Sequence, residues 1–216
     1  AGDDTITGGA KADILEGDGG ADTITGGAAA DYIAGGAGRD VIDLTETTAA
    51  VDEVELSSGA TTVDKITGFL AGGVTGADNI SALQATHGFN STDGTSTVLL
   101  STGATLKAAD NAADSNIATI STNVAAGTFD SFLAGTMTEA SMEANVITAL
   151  GLTGALDAAA VVLVFVDDGE DTGVIKFTGN DAGTDDLAAT TEIEIMAVLD
   201  GIADATDIVV GDVLMT

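Results

Sequence analysis

Five aspartates, Asp4, Asp13, Asp22, Asp31 and Asp40, recur every nine residues, and each is followed two positions later by Ile6, Leu15, Ile24, Ile33 or Ile42. Carboxylates at one fixed interval supply hard oxygen ligands, and the glycine-rich stretches between them add backbone carbonyls. That donor set is the one Ca²⁺ prefers. The unit reads G-G-x-G-x-D-x-U-x, where U is a large apolar residue. Its copies are a truncated AGDDTIT, then GGAKADILE, GDGGADTIT, GGAAADYIA and GGAGRDVID, of which only the last keeps every glycine.

To position these carboxylates, six residues of each unit must be turn and three must be strand. The glycines supply positive φ and close backbone approach, and x-U-x is a minimal strand with one side chain inward. Two units make one coil of a right-handed parallel roll, with Asp4, Asp22 and Asp40 on one edge and Asp13 and Asp31 on the other. Adjacent coils lie about 4.8 Å apart, where two carboxylates repel by roughly 3.5 kcal/mol at an effective dielectric of about 20. Such a stack needs a cation, which makes the metal a component of the fold. Pairing of alternate units gives about three ion sites, between Asp4 and Asp22, Asp22 and Asp40, and Asp13 and Asp31.

The composition agrees. The chain has 216 residues, 45% of them hydrophobic but only 3% aromatic, so its core must be built from small and branched side chains. Acidic residues number 35 against 5 basic ones, for a net charge of −30. That balance excludes nucleic acid as a partner. Without cysteine there is neither a disulfide nor a thiolate metal site. No apolar run reaches membrane-spanning length and no signal peptide is visible; the start within a repeat suggests a piece of a longer protein.

Beyond Asp43 the nine-residue rhythm is lost while strand signals persist at Val54 with Leu56, Val63 with Ile66, and Asp78-Asn79-Ile80. Residues 44–87 are expected to be capping strands that continue the roll, since a solenoid must cover its last apolar layer. Residues 88–216 are read as a β-rich C-terminal domain for assembly or secretion. Within it, strands are expected at Val98–Leu100 and around Ile117–Ile120. Thr136 with Glu139 has capping-box spacing ahead of a helix whose apolar stripe is Met142, Val146, Ala149 and Leu150. VVLVFV and GVIKF flank DDGEDT as a hairpin, TEIEIMAVLDG alternates like a strand but also suits a helix, and DIVVGDVLMT reads as a last strand. The predicted fold class is mainly β, a parallel roll followed by a β-rich region with one or two short helices.

The nonapeptides from Gly8 to Asp43 resemble the RTX (repeat-in-toxin) family, whose calcium-binding β-roll carries this pattern. VDKITGF…GADNISAL, Val63 to Leu83, is similar to the segment that caps such rolls. The C-terminal stretch is similar in pattern to proteins exported by the type I (ABC transporter) pathway. The resemblance implies that Asp4, Asp13, Asp22, Asp31 and Asp40 bind Ca²⁺ with carbonyls of the turns containing Gly8, Gly9, Gly17, Asp18, Gly20, Gly26, Gly27, Gly35, Gly36 and Gly38. Lys11 and Ala29 replace a turn glycine and Asp18 one of a glycine pair, so those turns are expected to be strained or weakened. It further implies a chain that stays unfolded until exported and then folds on extracellular Ca²⁺, for which affinities around 10⁻⁴ to 10⁻³ M suffice.

Three functional classes follow. The Ala, Thr, Gly, Asp and Val bias, with few lysines and no cysteine, looks like bacterial S-layer proteins: secreted, on the cell surface, and self-associating. The alternative is the secretion and folding module of an exported enzyme or adhesin whose active part lies upstream. A calcium-dependent sugar binder ranks last, for want of aromatic platforms. Catalysis within the chain is not expected, because His87 is the single histidine and no H-x-x-x-H or G-x-S-x-G occurs. The pairs Asp167-Asp168 and Asp185-Asp186 read as acidic turns, and DDGEDTG and GNDAGTDD lack the spacing of a known calcium loop.

Overall fold

The computed structural model describes residues 2–57, 63–82, 117–120, 124–150, 161–178 and 193–215. Eight short strands alternate between two sheets. β1 (Thr5–Gly9), β3 (Thr23–Gly27), β5 (Val41–Asp43) and β7 (Asp64–Thr67) pair in parallel in one; β2 (Ile14–Glu16), β4 (Tyr32–Ala34), β6 (Glu53–Glu55) and β8 (Asn79–Ala82) pair in parallel in the other. The register places the apolar residue of each coil on its counterpart one coil away: Ile6 on Ile24, Ile24 on Ile42, and Ile42 on Ile66, while Leu15, Ile33, Val54 and Ile80 form the facing row. Ile24, Ile33, Ile42, Ile66 and Ile80 are fully buried.

The coil does not end in solvent. β12 (Ile193–Asp200) adds to β7 in parallel, and β13 (Val213–Met215) adds to β8 in parallel. The first sheet then continues antiparallel through β11 (Thr172–Thr178) and β10 (Val161–Asp167), and β9 (Ile117–Ile120) adds to β10 in parallel, giving eight strands. The β10–β11 hairpin is as the sequence suggests, and within TEIEIMAVLDG the residues Ile193–Asp200 are a strand. Ile193, Ile195 and Val198 face the helices and Met196, Ala197 and Leu199 face the coils, because a bulge between the pairs Ile175–Ile195 and Val174–Ala197 shifts the alternation; burial on both faces explains why both readings of its periodicity were open. Of the expected last strand only Val213–Met215 forms; short 3₁₀ turns occupy Ala205–Asp207 and Val210–Asp212. Val98–Leu100 lies outside the described residues.

Two helices cover the extended sheet. α1 (Thr128–Leu133) buries Phe129 and Phe132, and α2 (Glu139–Leu150) buries Met142 and Val146. The cap of α2 is Thr138, whose Oγ1 accepts from the Ser141 amide at 3.3 Å; Thr136 instead gives its hydroxyl to the Ser131 carbonyl at 2.8 Å. The expected Thr136–Glu139 box is therefore displaced by two residues, because the turn after α1 takes Thr136. Gly173 on β11 has to lack a side chain, since a Cβ there would lie 2.5 Å from the Phe129 ring.

The apolar residues form two groups. One runs through the coils into Leu163, Phe165, Met196 and Leu199; the other joins α1 and α2 to the opposite face of β10, β11 and β12. Arg39 links the last repeat to α1, its guanidinium 5.2 Å from the Phe132 ring centre and donating to the Leu133 carbonyl at 3.1 Å.

Candidate metal centre

The turns between strands fall on two edges of the coil, and each edge carries a row of aspartates. On the first edge the Asp4 amide donates to Asp22 Oδ1 at 2.7 Å, the Asp22 amide to Asp40 Oδ1 at 2.8 Å, and the Asp40 amide to Asp64 Oδ1 at 3.0 Å. On the second, the Asp13 amide donates to Asp31 Oδ1 at 2.8 Å, Asp31 to Asp52 at 2.9 Å, and Asp52 to Asp78 at 3.0 Å. Each carboxylate after the first in its row thus spends one oxygen on the backbone of the preceding coil. The partners expected from the repeat, Asp4 with Asp22, Asp22 with Asp40, and Asp13 with Asp31, are brought together.

The rows also run further than the repeats. Asp52, Asp64 and Asp78 were missed as members, although each keeps the D-x-U signal in Asp52-Glu53-Val54, Asp64-Lys65-Ile66 and Asp78-Asn79-Ile80.

The second oxygen decides what the rows can bind. Oδ2 of Asp22, Asp31 and Asp40 is shut off from solvent and accepts no hydrogen bond. A buried carboxylate oxygen left unpaired costs several kcal/mol, roughly, unless a cation or a proton meets it. Each oxygen sits against a glycine of its own turn: a Cβ on Gly17 would lie 2.5 Å from Asp22 Oδ2 and also 2.5 Å from the Gly35 carbonyl oxygen, one on Gly26 would lie 3.1 Å from Asp31 Oδ2, and one on Gly35 would overlap Asp40 Oδ2. The missing side chains leave carboxylate and carbonyl oxygens crowded together. This donor set fits a hard divalent cation, which would cross-link successive coils.

The remaining repeat positions are placed accordingly. Gly8, Gly9, Gly26 and Gly27 end β1 and β3 where the second-edge turns begin, with Gly9 opposite Gly27. Gly17, Asp18 and Gly20 form one first-edge turn, and Gly35, Gly36 and Gly38 the next, with the Asp18 carbonyl against Gly36 and that of Gly20 against Gly38. Asp18 (φ 65°) and Ala29 (φ 76°) are the only non-glycine described residues at positive φ. They keep the glycine conformation at a cost of about 1–2 kcal/mol each. Lys11 is not among them, so its turn departs from the repeat geometry and avoids that strain.

Burial raises the pKa of these carboxyls most, and neighbouring carboxylates raise it further against the lowering effect of backbone donors. Asp64 is pushed up to about 8 and Asp78 to about 6; Asp31, Asp40 and Asp52 are also raised. Between its ordinary value and the raised one, such a group binds more protons folded than unfolded, so its stability contribution is complete in acid and lost as pH climbs through 6 and 8. Calcium-depleted protein should therefore keep more of its β signal in circular dichroism at pH 5 than at pH 8.5. A β signal that grows with pH over that interval would contradict the assignment.

The C-terminal acids behave differently. Asp168, read from sequence as part of an acidic turn, lies in the turn between β10 and β11 and is buried there: Oδ1 accepts from the Glu170 and Asp171 amides at 3.1 and 3.0 Å, and Oδ2 from the Phe129 amide at 3.1 Å. Asp171 accepts from the Gly201 amide at 2.8 Å. Oxygens of Asp130, Asp171 and Asp200 lie within 4.8 Å of one another, and here the protein supplies its own cation, Lys65 Nζ at 2.9 Å from Asp200 Oδ1. His87, Asp185-Asp186 and GNDAGTDD lie outside the described residues.

Residues 1–33 match the RTX calcium-binding nonapeptide repeat (4 copies). They are a calcium-binding repeat region of RTX type, and Ca²⁺ is the ion it takes. No curated protein matches the chain with significant similarity.

Proposed function

We propose that the chain is a non-catalytic calcium-binding region of a secreted bacterial cell-surface structural protein of the S-layer kind. Its repeats, residues 1–43, form a right-handed parallel roll. Asp4, Asp13, Asp22, Asp31 and Asp40 hold Ca²⁺ there with carbonyls of the glycine turns, residues 44–87 continue the roll, and 88–216 serve assembly or secretion. The chain leaves the cell unfolded through a type I ABC transporter and folds where calcium is plentiful.

The observation that carries this reading is the pair of carboxylate rows whose second oxygens are buried without donors. Such rows are unfavourable in a calcium-poor cytosol and favourable outside it, which couples folding to location. A net charge of −30 works in the same direction, since it opposes collapse until cations arrive. Self-association into a layer is supported by the composition, rich in small and β-forming residues and free of cysteine.

Electron microscopy of the protein with and without calcium tests the assembly. A two-dimensional lattice present only with calcium is expected. Dispersed particles in saturating calcium would leave the alternative, a secretion and folding module of an exported enzyme or adhesin.

A further inference from the structure

The outer face of the sheet formed by β2, β4, β6 and β8 carries a partly apolar groove. Its outward residues Ile14, Tyr32, Glu53 and Asn79 stand beside one another in register, one per coil, at the strand spacing of about 4.8 Å. With Val51 from the turn before β6 they line an open groove of about 450 Å³. Ile14 is 74% exposed and Val51 44%, and the two flank a half-buried tyrosine, so the exposed apolar surface here is a patch rather than scatter. The Tyr32 hydroxyl donates to the Glu55 carboxylate, which fixes the ring on this face.

The charges at the groove are unmatched within the chain. Glu53 is its one lining acid outside the carboxylate rows. Lys11, three residues before Ile14 in the second-edge turn, is exposed. The ion pairs among the described residues are Lys65 with Asp200 and Lys176 with Glu194, so neither Lys11 nor Glu53 is paired there. Within one chain the two belong to coils two steps apart, about 10 Å along the roll.

We propose that a second copy of the chain docks on this groove, face to face, about a two-fold axis that runs along the strands at the level of Tyr32. The contact rests on the reading of the chain as self-associating and names the surface that does it. Such an axis reverses the order of the coils and keeps the second edge on the second edge. Ile14 and Glu53 each stand one coil from Tyr32, on opposite sides, so the first coil of one copy falls on the third coil of the other. Ile14 then covers Val51 of the second copy and Lys11 meets its Glu53, twice over by symmetry, while the two Tyr32 rings meet at the axis. A two-fold along the roll would instead lay the second edge on the first and part Lys11 from Glu53. Calcium controls the contact, because the groove spans coils that the carboxylate rows hold together.

Sedimentation velocity of the full chain, in calcium and in chelator, tests this. Wild type should associate with rising concentration in calcium and stay monomeric in chelator. Lys11→Glu and Glu53→Lys should each weaken the association by at least about tenfold, the low end of what a close interfacial charge pair contributes. The chain with both changes should regain it, since the charges are exchanged rather than lost. Ile14→Ser alters an exposed apolar group alone and should also part the copies; it carries the test if a charge variant fails to fold, which circular dichroism in calcium reports.

Association that is unchanged in Ile14→Ser and Lys11→Glu, or not regained in the double variant, would overturn the contact. A calcium-dependent lattice that persists in those variants overturns the contact and leaves the layer standing. Wild-type dimers that the variants lose, with no lattice, leave the contact standing and overturn the layer. Wild type that is monomeric at every concentration in calcium overturns the contact and leaves the groove to a saccharide or a basic peptide.

Discussion

Withdrawal of calcium is expected to unfold the coils of residues 2–57 and 63–82 while much of the helix-covered hairpin persists. The magnitudes support this. A site held at ten to a hundred times its dissociation constant contributes about 1.4 to 2.7 kcal/mol. The three sites within the repeats alone contribute roughly 4 to 8 kcal/mol, before any in the gaps toward Asp64 and Asp52, and this is comparable with the whole stability of a typical domain, about 5–15 kcal/mol. Their removal also restores repulsion along each row, where Asp22, Asp31 and Asp40 then keep buried oxygens without partners. The coils have little to set against this, since each strand contributes one aliphatic side chain to a thin core. The group formed by Phe129, Phe132, Met142, Val146 and the outer face of β10 to β12 does not depend on the carboxylate rows. Circular dichroism of the chain in a chelator should lose a large share of the β signal and regain it with excess Ca²⁺.

Asp40→Ala is expected to be the most damaging single substitution. Asp40 is fully buried and stands inside the four-membered row from Asp4 to Asp64, so its carboxylate faces two gaps between coils. The substitution strands the buried Asp22 amide, at a cost of about 1–3 kcal/mol, and removes a ligand from two ions worth about 1.4 to 2.7 kcal/mol each. Together these reach roughly 4 to 8 kcal/mol in saturating calcium. Asp22→Ala should come close behind. Asp4→Ala, at the exposed end of the row, faces one gap and should cost no more than about 1–3 kcal/mol. Denaturant unfolding of the three variants in saturating calcium ranks them, and an Asp4→Ala loss equal to that of Asp40→Ala would show that the ions are not shared along the row. Asp40→Asn separates the two contributions, because it can keep the acceptor for Asp22 while losing the charge.

The repeat made one part of this site readable. Asp4 to Asp40 keep a strict interval because each turn is built to the same length, so phase alone assigns them to edges. Asp52, Asp64 and Asp78 occupy the same rows, but the intervals become 12, 12 and 14 residues as the turns lengthen, and periodicity no longer finds them. Strand register, which tolerates loops of any length, preserves their place; the surviving sign is an aspartate two residues before an inward aliphatic. Asp168 lies in the turn its polarity suggests, but its burial was not readable, because its oxygens are taken by amides from α1 and from its own turn. The short helix α1 carries no side-chain cap at Gly127 and spans six residues, too few for a periodic signal.

Hydrogen exchange read by mass spectrometry, with and without calcium, tests most directly whether the carboxylate rows hold the ions that hold the fold. With calcium, the amides of Asp22, Asp31 and Asp40, donors to the next aspartate in each row, should be strongly protected together with β3 to β6. Without it they should exchange rapidly while β10, β11 and β12 stay protected on their helix-covered face. Equal protection of residues 17–43 in both conditions would contradict the account.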